Sequence, residues 1–251
     1  MNGVKVALSG VERIRGMLDR RECVFLYRLA EKVVREVGAK SVLCEIGSFC
    51  GKSTVSIAKA LVKHNAGVLY AIDWHQGSPS FPGFGTKNYK TTYNEFMDNI
   101  EKFGVQDRVR VIPKRSEEFA GEAPGEIHFL WIDGRHDYEG VKADFENYEG
   151  KLARGGFLLF HDACWTTWTE PFQFIKDRVL NNRNYNFYAM AGNTLAFRKE
   201  SNATSQTKKN ILEALCGFVS GMERPWYKRL VSAVLFRLTT CRTMLFHDWT
   251  K

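Results

Sequence analysis

Short apolar runs alternate with amphipathic segments along most of the chain, and this alternation restricts the folds that it can adopt. In the first amphipathic segment, Phe25, Leu29, Val33 and Val37 repeat at helical spacing, and Gly38 follows as a stop. Strands that alternate with helices in this way form a parallel sheet that is covered on both faces. The sequence therefore predicts an α/β fold, a doubly wound, Rossmann-like and mostly parallel seven-stranded sheet with helices on both faces.

The same pattern places the individual elements. Strands are predicted at residues 41–46, 67–73, 108–112, 127–133, 156–161, 185–190 and 194–198. Helices are predicted at residues 23–37, 52–64, 93–103 and 138–148. Only the turn Ala191-Gly192-Asn193 separates the last two strands, so we expect them to form an antiparallel hairpin at one edge of the sheet.

Charge is distributed unevenly along the chain. The 251 residues carry a net charge of +8, and 44% of them are hydrophobic, which is enough for one α/β domain with a core. Residues 201–251 hold eight Lys and Arg against three Asp and Glu, or +5, which leaves +3 for the first 200 residues. We therefore expect one domain over residues 1–200, a basic helical extension over residues 201–251, and no nucleic-acid-binding face on the domain.

The basic extension contains two helical stretches, residues 210–220 and 226–246, which Gly221 and Pro225 separate. A basic amphipathic helix can lie on an anionic membrane surface, cover the core or pair with another subunit. The basic residues of the second stretch do not gather on one face, which favours a homo-oligomer or core packing over peripheral membrane contact.

The N-terminus has no apolar run of the length that a signal peptide needs, and the longest apolar stretches, such as residues 230–236, are too short to span a bilayer. We expect a cytoplasmic protein, membrane-peripheral if the basic extension docks. The six cysteines form no CxxC pair, so the sequence indicates reduced thiols and neither a zinc knuckle nor a thioredoxin motif.

Polar residues follow four of the predicted strands, at residues 45–51, 73–74, 133–136 and 161–162. In a doubly wound sheet, ligands bind at the carboxyl ends of the strands. A carboxylate at the end of an apolar strand costs desolvation unless it has a partner. A ligand at this edge of the sheet explains the convergence of these residues better than packing does.

The loop EIGSFCGKST, which begins at Glu45, contains glycines that allow a tight turn and close approach of the backbone to a ligand. The helix after it favours anionic groups at its N-terminus. The loop nearly matches the phosphate-binding motif GxxxxGK[ST], but only three residues separate Gly47 from Gly51, and Glu45 would repel a triphosphate. Nucleotide triphosphate binding is therefore a disfavoured alternative.

Asp73 stands at the end of the second predicted strand, where an acid accepts hydrogen bonds from a ribose diol in dinucleotide-binding folds. Trp74 beside it offers a flat face for adenine. The alternative is that Asp73 caps a helix or turn. Together with the glycine loop one strand earlier, the pattern favours ribose binding.

Four stretches carry a family resemblance: EIGSFCGKST, AIDW, WIDGRHDYEGVKADF and GGFLLFHD. They resemble class I methyltransferases, and more narrowly the branch that contains macrolide-sugar O-methyltransferases and cephalosporin-hydroxylase-like proteins. The resemblance covers roughly residues 25–198 and implies S-adenosyl-L-methionine as the cofactor. It also implies that residues 1–200 are the methyltransferase domain.

The resemblance implies three parts of the cofactor site. The residues around the methionine part would be Glu45, Gly47, Ser48, Gly51, Ser53 and Thr54. Asp73 would hold the ribose, and Trp74, Ser116 and Glu117 would lie near the adenine. Asp133 would border the cofactor as well as the acceptor.

The resemblance also implies a catalytic site. Asp133 and Asp162 match positions that hold a divalent cation in metal-dependent members, and His136 matches the general base. Carboxylate oxygens suit Mg²⁺, and an imidazole with a pKa near ~6.5 suits proton acceptance at neutral pH. The alternative is that His136 lies at the surface and only caps the following helix.

The chain departs from this family pattern at His161, where metal-dependent sugar-methylating relatives carry an acid, and at Ala163, where catechol-type relatives carry Asn. His161 could be a nitrogen ligand that favours a more borderline metal than Mg²⁺, a second base, or a group behind the ligands. The sequence leaves these alternatives open, with Asp133, Asp162 and His161 as the candidate metal ligands.

The expected acceptor is a hydroxyl of a saccharide or glycosylated small molecule. The alternatives are a phenolic or amine acceptor, or a catalytically silent, cofactor-binding scaffold. The loop over residues 75–90 resembles a lid, in which His75 would contact the acceptor. The aromatic residues that would line the acceptor pocket, or simply pack the loops, are Phe81, Phe84, Tyr89, Trp165, Trp168 and Phe172.

Overall fold

The computed structural model describes residues 2–77, 92–163 and 169–200. The strands are β1 Val42–Ile46, β2 Val68–Ile72, β3 Val109–Ile112, β4 Ile127–Ile132, β5 Leu152–Phe160, β6 Tyr185–Ala191 and β7 Thr194–Lys199. The α-helices are α1 Asn2–Ala7, α2 Arg20–Val37, α3 Lys52–His64, α4 Tyr93–Lys102, α5 Ser116–Phe119, α6 Tyr138–Tyr148 and α7 Glu170–Ile175. A π-helical turn, Lys176–Leu180, follows α7.

The strands form one seven-stranded sheet in the order β3-β2-β1-β4-β5-β7-β6. Strands β1 to β5 run parallel, and β7 pairs antiparallel with both β5 and β6. This confirms the predicted doubly wound sheet with an antiparallel hairpin at one edge. The chain reverses its direction of winding between β1 and β4, which is where such sheets bind ligands.

The predicted boundaries agree closely with the structure for helices α3 and α6. Helix α2 begins at Arg20, three residues before the predicted start, because Asp19 caps it. The Asp19 carboxylate accepts hydrogen bonds from the backbone N–H groups of Arg21 and Glu22, and the Glu22 carboxylate accepts one from Asp19 N–H in return. Such a capping box satisfies helix donors that would otherwise lack partners.

The two faces of the sheet carry separate cores, because successive side chains of a strand point to opposite faces. Phe129 and Trp131 of β4 pack toward the layer that contains α2 and α3. Leu130 and Ile132 pack toward the layer that contains α6 and α7. All four side chains are buried, which places β4 at the centre of the fold.

Several predictions fall outside the described residues. They are the extension over residues 201–251 and the aromatic residues Phe81, Phe84, Tyr89, Trp165 and Trp168. Phe172 is described: it is buried in α7 and packs in the core rather than lining a cleft. Among the described residues, no helix is both long and apolar enough to cross a membrane.

Candidate functional site

The polar residues predicted at the strand ends meet in one cleft of about 400 Å³, a size typical of small-molecule sites. It opens at the carboxyl ends of β1, β2 and β4. The predicted residues that line it are Gly47, Ser48, Ser53, Asp73, Trp74, Ser116, Glu117, Asp133, His136, His161 and Asp162. Glu45, Gly51 and Thr54 belong to the same loop and helix but lie behind the cleft wall.

Backbone contacts fix the glycine loop at the end of β1. Gly47 N–H donates to Ile72 O at 2.9 Å, and Asp133 N–H donates to Ile46 O at 2.9 Å, so the ends of β2 and β4 are tied to β1. Gly47 adopts φ +87°, and a Cβ at this position would overlap the carbonyl group of Asp133. The close approach of β1 and β4 therefore requires glycine here.

Glu45 is fully buried behind this loop. Its Oε2 accepts a hydrogen bond from Thr54 Oγ1 at 2.5 Å. Burial raises the pKa of the Glu45 carboxyl to about 8, although the hydroxyls of Ser53 and Thr54 oppose that rise. A cationic group near Glu45 would favour its ionised form.

Asp73 anchors the glycine loop to the end of β2. Its Oδ2 accepts hydrogen bonds from Ser48 N–H at 2.9 Å and Phe49 N–H at 2.7 Å, and its Oδ1 accepts one from His75 N–H at 2.7 Å. The turn-capping role considered for Asp73 is therefore present in the structure. Its carboxylate also lines the cleft, where contact with a ribose remains a prediction.

The neighbours of Asp73 are also fixed. Trp74 Nε1–H donates to Gly77 O at 2.9 Å, and the Arg115 guanidinium lies 3.9 Å from the centre of the Trp74 ring, so one face of this indole is covered. His75 is buried, and its Nδ1 lies 2.9 Å from Thr92 Oγ1.

Ser116 begins α5 beyond the end of β3, and a buried acid of α6 holds it. Ser116 Oγ–H donates to Asp144 Oδ1 at 2.5 Å, and Tyr148 O–H donates to Ser116 O at 2.7 Å. Burial raises the pKa of Asp144 to about 7. Sequence reasoning missed Asp144, although an acid between Val141 and Phe145 on the buried face of a predicted helix was a usable signal.

Two acids and two histidines meet where β4 and β5 end. His136 Nε2 lies 2.8 Å from Asp162 Oδ2 and 3.8 Å from Asp133 Oδ1. His161 Nδ1 lies 3.1 Å from Asp133 Oδ1 and 3.3 Å from Asp162 Oδ2. The cap of α6 is Asp137, which accepts from Gly140 N–H, so His136 points into the cleft instead of capping the helix.

Mutual attraction sets the charges in this group. Burial alone would lower the pKa of His136 and His161, but the neighbouring carboxylates outweigh it and raise both pKa values, that of His161 strongly. Burial would raise the pKa of Asp162, but its bonds to the two imidazoles hold that pKa far below the usual range. For Asp133, burial dominates and raises the pKa. The group therefore holds protons between its acids at neutral pH in the absence of a cation.

Glu22 completes this group from the opposite end of the chain, and sequence reasoning missed it. Its side chain is buried, and its Oε1 lies 3.3 Å from His161 Nε2. The same oxygen accepts hydrogen bonds from Asn193 N–H at 3.0 Å and Thr194 Oγ1 at 3.2 Å. A separation of 139 residues hides this contact from any local pattern, and Glu22 reads from the sequence only as a capping residue of α2.

The donor set fits a divalent cation with mixed ligands. Within the described residues, ligand atoms of Asp133, His136 and Asp162 lie within 4.8 Å of one another. His161 Nδ1 faces the same two carboxylates. Ligand atoms around an ion with bonds of about 2.0–2.2 Å lie about 3–3.5 Å apart. The imidazole–carboxylate distances of 2.8, 3.1 and 3.3 Å in this group are comparable. Imidazole nitrogens suit borderline ions better than Mg²⁺, which prefers oxygen.

A segment that precedes α2 closes one wall of the cleft. Lys52 Nζ donates to the carbonyl oxygens of Gly16 at 3.2 Å and Leu18 at 3.3 Å. The Arg15 guanidinium pairs with Glu95 at 2.7 Å. Because Lys52, the lysine of the near-match to a phosphate loop, already binds backbone carbonyls, the geometry gives no support to triphosphate binding.

The sequence pattern of a protein family described as a methyltransferase domain matches residues 44–163, a stretch that includes every residue predicted to bind the cofactor or a metal or to take part in catalysis. The uncharacterized protein y4gI of Sinorhizobium fredii (strain NBRC 101917 / NGR234) is 28% identical over 137 residues, which are 51% of this chain and 14% of that protein. The chain thus spans only a small part of that relative's length.

Solved methyltransferase structures share the fold. The O-methyltransferase NovP matches with a TM-score of 0.62 at 16% identity, over 74% of this chain and 82% of NovP. The SAH-bound Podospora anserina methyltransferase PaMTH1 matches with a TM-score of 0.58 at 13% identity, over 80% of this chain and 89% of its own. Cofactor-bound Rv0187 from MTB matches with a TM-score of 0.58 at 15% identity, over 80% and 91%. At these identities the likeness concerns the fold.

Proposed function

We propose that this chain carries a class I, S-adenosylmethionine-dependent methyltransferase domain, and that it is an O-methyltransferase that acts on a hydroxyl of a saccharide or glycosylated small molecule. The observation that carries the proposal is the shared cleft. It places a fixed loop suited to the cofactor beside a histidine that lies 2.8 Å from a carboxylate.

The cofactor side of the cleft supplies position. We assign the methionine part of S-adenosylmethionine to the glycine loop, with its carboxylate toward the N-terminus of α3 and its positive charge on the side of Glu45. We assign the ribose to Asp73, and the adenine to the region of Ser116 and the Trp74 ring. Methyl transfer is an in-line displacement, so this fixed placement contributes directly to the rate.

The acid–histidine group supplies proton transfer. A sugar hydroxyl is a weak nucleophile, and it gains strength when a base accepts its proton as the new C–O bond forms. We assign His136 to that task, with Asp162 as the carboxylate partner of its ring. The methyl group leaves the cofactor sulfur, which keeps the bonding electron pair, and the acceptor proton goes to His136.

A divalent cation held by Asp133, Asp162 and His161 would lower the pKa of an acceptor hydroxyl bound to it. The residues fit such an ion, as their donor atoms show. Its positive charge would also displace the protons that His136 and His161 otherwise hold, which leaves His136 ready to act as a base.

The first experiment is calorimetric titration of S-adenosylhomocysteine and, separately, of ATP into the wild-type chain and Asp73→Ala. Micromolar binding of S-adenosylhomocysteine that Asp73→Ala weakens, without binding of ATP, supports the assignment. Absence of S-adenosylhomocysteine binding by the wild type contradicts it.

The acceptor class needs a second experiment. Transfer of a labelled methyl group from S-adenosylmethionine is measured with sets of glycosides, catechols and amines, for the wild type, His136→Gln and the control His64→Gln. His64 is a partly exposed histidine of α3 outside the cleft. We expect glycoside methylation that His136→Gln reduces by about 10²–10⁴-fold and His64→Gln leaves unchanged. Transfer only to catechols or amines favours the alternative acceptors, and cofactor binding without any transfer favours a silent scaffold.

A further inference from the structure

Glu22 is a buried carboxylate whose position capping alone does not explain. One oxygen, Oε2, accepts from Asp19 N–H at 2.8 Å and completes the capping box of α2. The other, Oε1, lies in the interior, where it contacts His161, Asn193 and Thr194. A capping carboxylate normally stays in water, since burying one costs desolvation unless a partner compensates. The ion-pair partner of Glu22 is His161, a residue of the cleft.

The contact fixes the orientation of the His161 ring. With Nε2 3.3 Å from Glu22 Oε1, the opposite nitrogen, Nδ1, faces Asp133 and Asp162. The indole of Trp131 packs against the ring at a centroid distance of 5.5 Å. His161 is only 5% exposed, so this orientation is set by protein groups on both sides rather than by solvent.

The turn between β6 and β7 seals the far side of Glu22. Gly192 lies so close that a Cβ there would come within 2.7 Å of the Glu22 side chain. Asn193 N–H and the Thr194 hydroxyl donate to Glu22 Oε1 from the same turn. The hairpin and the start of α2 thus hold the Glu22 carboxylate against His161.

We propose that Glu22 is a positioning residue that holds His161 so that its Nδ1 serves as a nitrogen ligand to a divalent cation between Asp133 and Asp162. Histidines that bind metals usually direct their other ring N–H to a carboxylate, which fixes the ring and strengthens the donor nitrogen. Glu22 stands at that place behind His161, where its Oε1 makes an ion-pair contact at 3.3 Å from Nε2 that lacks the angle of a hydrogen bond. Because His161 would supply a nitrogen ligand, we expect the site to prefer a borderline ion such as Zn²⁺ over Mg²⁺. The role of the cation in methyl transfer rests on the proposed function, whereas the binding of the cation does not.

Glu31 provides a matched control on the same helix. It also contacts a histidine, with Oε1 3.1 Å from His64 Nε2, but it pairs with Lys63 and Arg35 as well and lies away from the cleft. Glu31→Gln therefore removes a carboxylate–histidine contact from α2 without touching the site. Any effect common to both glutamate variants belongs to the helix and not to the cation.

The test is calorimetric titration of Zn²⁺ and of Mg²⁺ into the full chain for the wild type, Glu22→Gln, Glu31→Gln, His161→Asn and the double variant Glu22→Gln/His161→Asn. We expect tighter binding of Zn²⁺ than of Mg²⁺ by the wild type, and a loss of Zn²⁺ affinity of about 10–100-fold in Glu22→Gln. Glu31→Gln should match the wild type. Glu22→Gln should cost nothing further in the His161→Asn background, because Glu22 acts through that ring.

Affinity for S-adenosylhomocysteine, measured with EDTA present, reports whether each variant keeps its fold and cofactor side. If Glu22→Gln does not fold, Glu22→Asp keeps the charge and shortens the reach to His161, with the same expected loss of Zn²⁺ affinity. Equal Zn²⁺ affinities of Glu22→Gln and Glu31→Gln, a Glu22→Gln effect that persists without His161, or no preference of the wild type for Zn²⁺ would overturn the inference. Failure of the wild type to bind S-adenosylhomocysteine would instead contradict the proposed function alone.

Discussion

The two sides of the cleft differ in the groups that form them, which are backbone groups on one side and ionisable side chains on the other. The cofactor side consists of the loop over residues 45–54 and Asp73. Its shape is fixed by the left-handed backbone of Gly47 and Gly51 and by the backbone N–H groups that bind the Asp73 carboxylate. On the acid–histidine side, which consists of Asp133, His136, His161, Asp162 and Glu22, ionisable side chains contact one another directly. Geometry is fixed on the first side, whereas charge can be redistributed on the second.

This difference suits the two tasks of a group transfer. The donor must be held in one position, and a loop tied to two strands achieves that without mobile side chains. The acceptor side must take up a proton, and a set of groups whose pKa values depend on one another can do so with small movements. Asp162 has a left-handed backbone at φ +49°, an uncommon conformation for a non-glycine residue and one often found at functional sites.

The largest expected effect comes from Gly47, where the two sides meet. Gly47→Ala forces a Cβ into the carbonyl group of Asp133 and strains a left-handed backbone, so we expect a loss of unfolding free energy on the order of 4 kcal/mol. Gly104→Ala is the matched control, since Gly104 has φ +61° but a Cβ there would meet nothing within 4 Å. Urea denaturation should show about 1–2 kcal/mol for this control. Equal losses would mean that the approach of β1 to β4 is unimportant.

The next effect should separate the two sides. Asp162→Asn keeps the size of the side chain and tolerates the left-handed backbone, but it removes the charge that holds both histidines. We expect affinity for Zn²⁺ to fall by about 100-fold or more, with affinity for S-adenosylhomocysteine changed by less than about threefold. Calorimetry on the same preparation measures both. A parallel loss of the two affinities would show that the sides are not independent.

Sequence patterns placed the glycine loop and Asp73 at the same edge of the sheet because their determinants are local, and their binding of the cofactor stays a prediction. The glycine loop and helix α3 are adjacent in the chain, and an acid that follows an apolar strand marks the site of Asp73. What the pattern left open was whether Asp73 binds a ligand or caps a turn. The structure contains the cap, a detail that depends on how the loop folds over the next strand.

The acid–histidine side was only partly predictable, because its contacts join distant segments. Strand-end spacing indicated Asp133, His136, His161 and Asp162, but not which histidine approaches which acid. Glu22 carried no chemical signal, since it occupies a capping position, and its contact with His161 becomes apparent only when the packing of α2 against the sheet is known. Asp144 was overlooked although it stands on the buried face of a predicted helix.

A smaller effect tests the role of Asp73 on the cofactor side. Asp73→Asn keeps an oxygen for the loop N–H groups but replaces charge-assisted hydrogen bonds with weaker neutral ones. We expect affinity for S-adenosylhomocysteine to fall by about 10–100-fold, and affinity for Zn²⁺ to stay unchanged. Glu126→Gln, which removes an exposed charge outside the cleft, is the control for a general change in charge. If it weakens the cofactor as much as Asp73→Asn does, the ribose assignment is wrong.

The smallest expected effect is the release of a proton from Glu45 when the cofactor binds. It would show that the cofactor side also contains a group that titrates. The pKa of Glu45, raised by burial to about 8, means that this carboxyl is mostly neutral at pH 7. A cationic ligand near it favours ionisation, so binding of S-adenosylmethionine at pH 7 should release a fraction of one proton, and affinity should rise by less than about tenfold per pH unit up to pH 8. In the unfolded chain the Glu45 carboxyl ionises near the ordinary pKa of a glutamate. The free energy of unfolding should therefore fall as the pH rises from that ordinary pKa to about 8. Titration in two buffers of different ionisation enthalpy measures the proton, and Glu45→Gln should abolish its release. Release that persists in Glu45→Gln would assign the proton to Asp144 or to the acid–histidine side, and would leave the glycine loop without a titrating group.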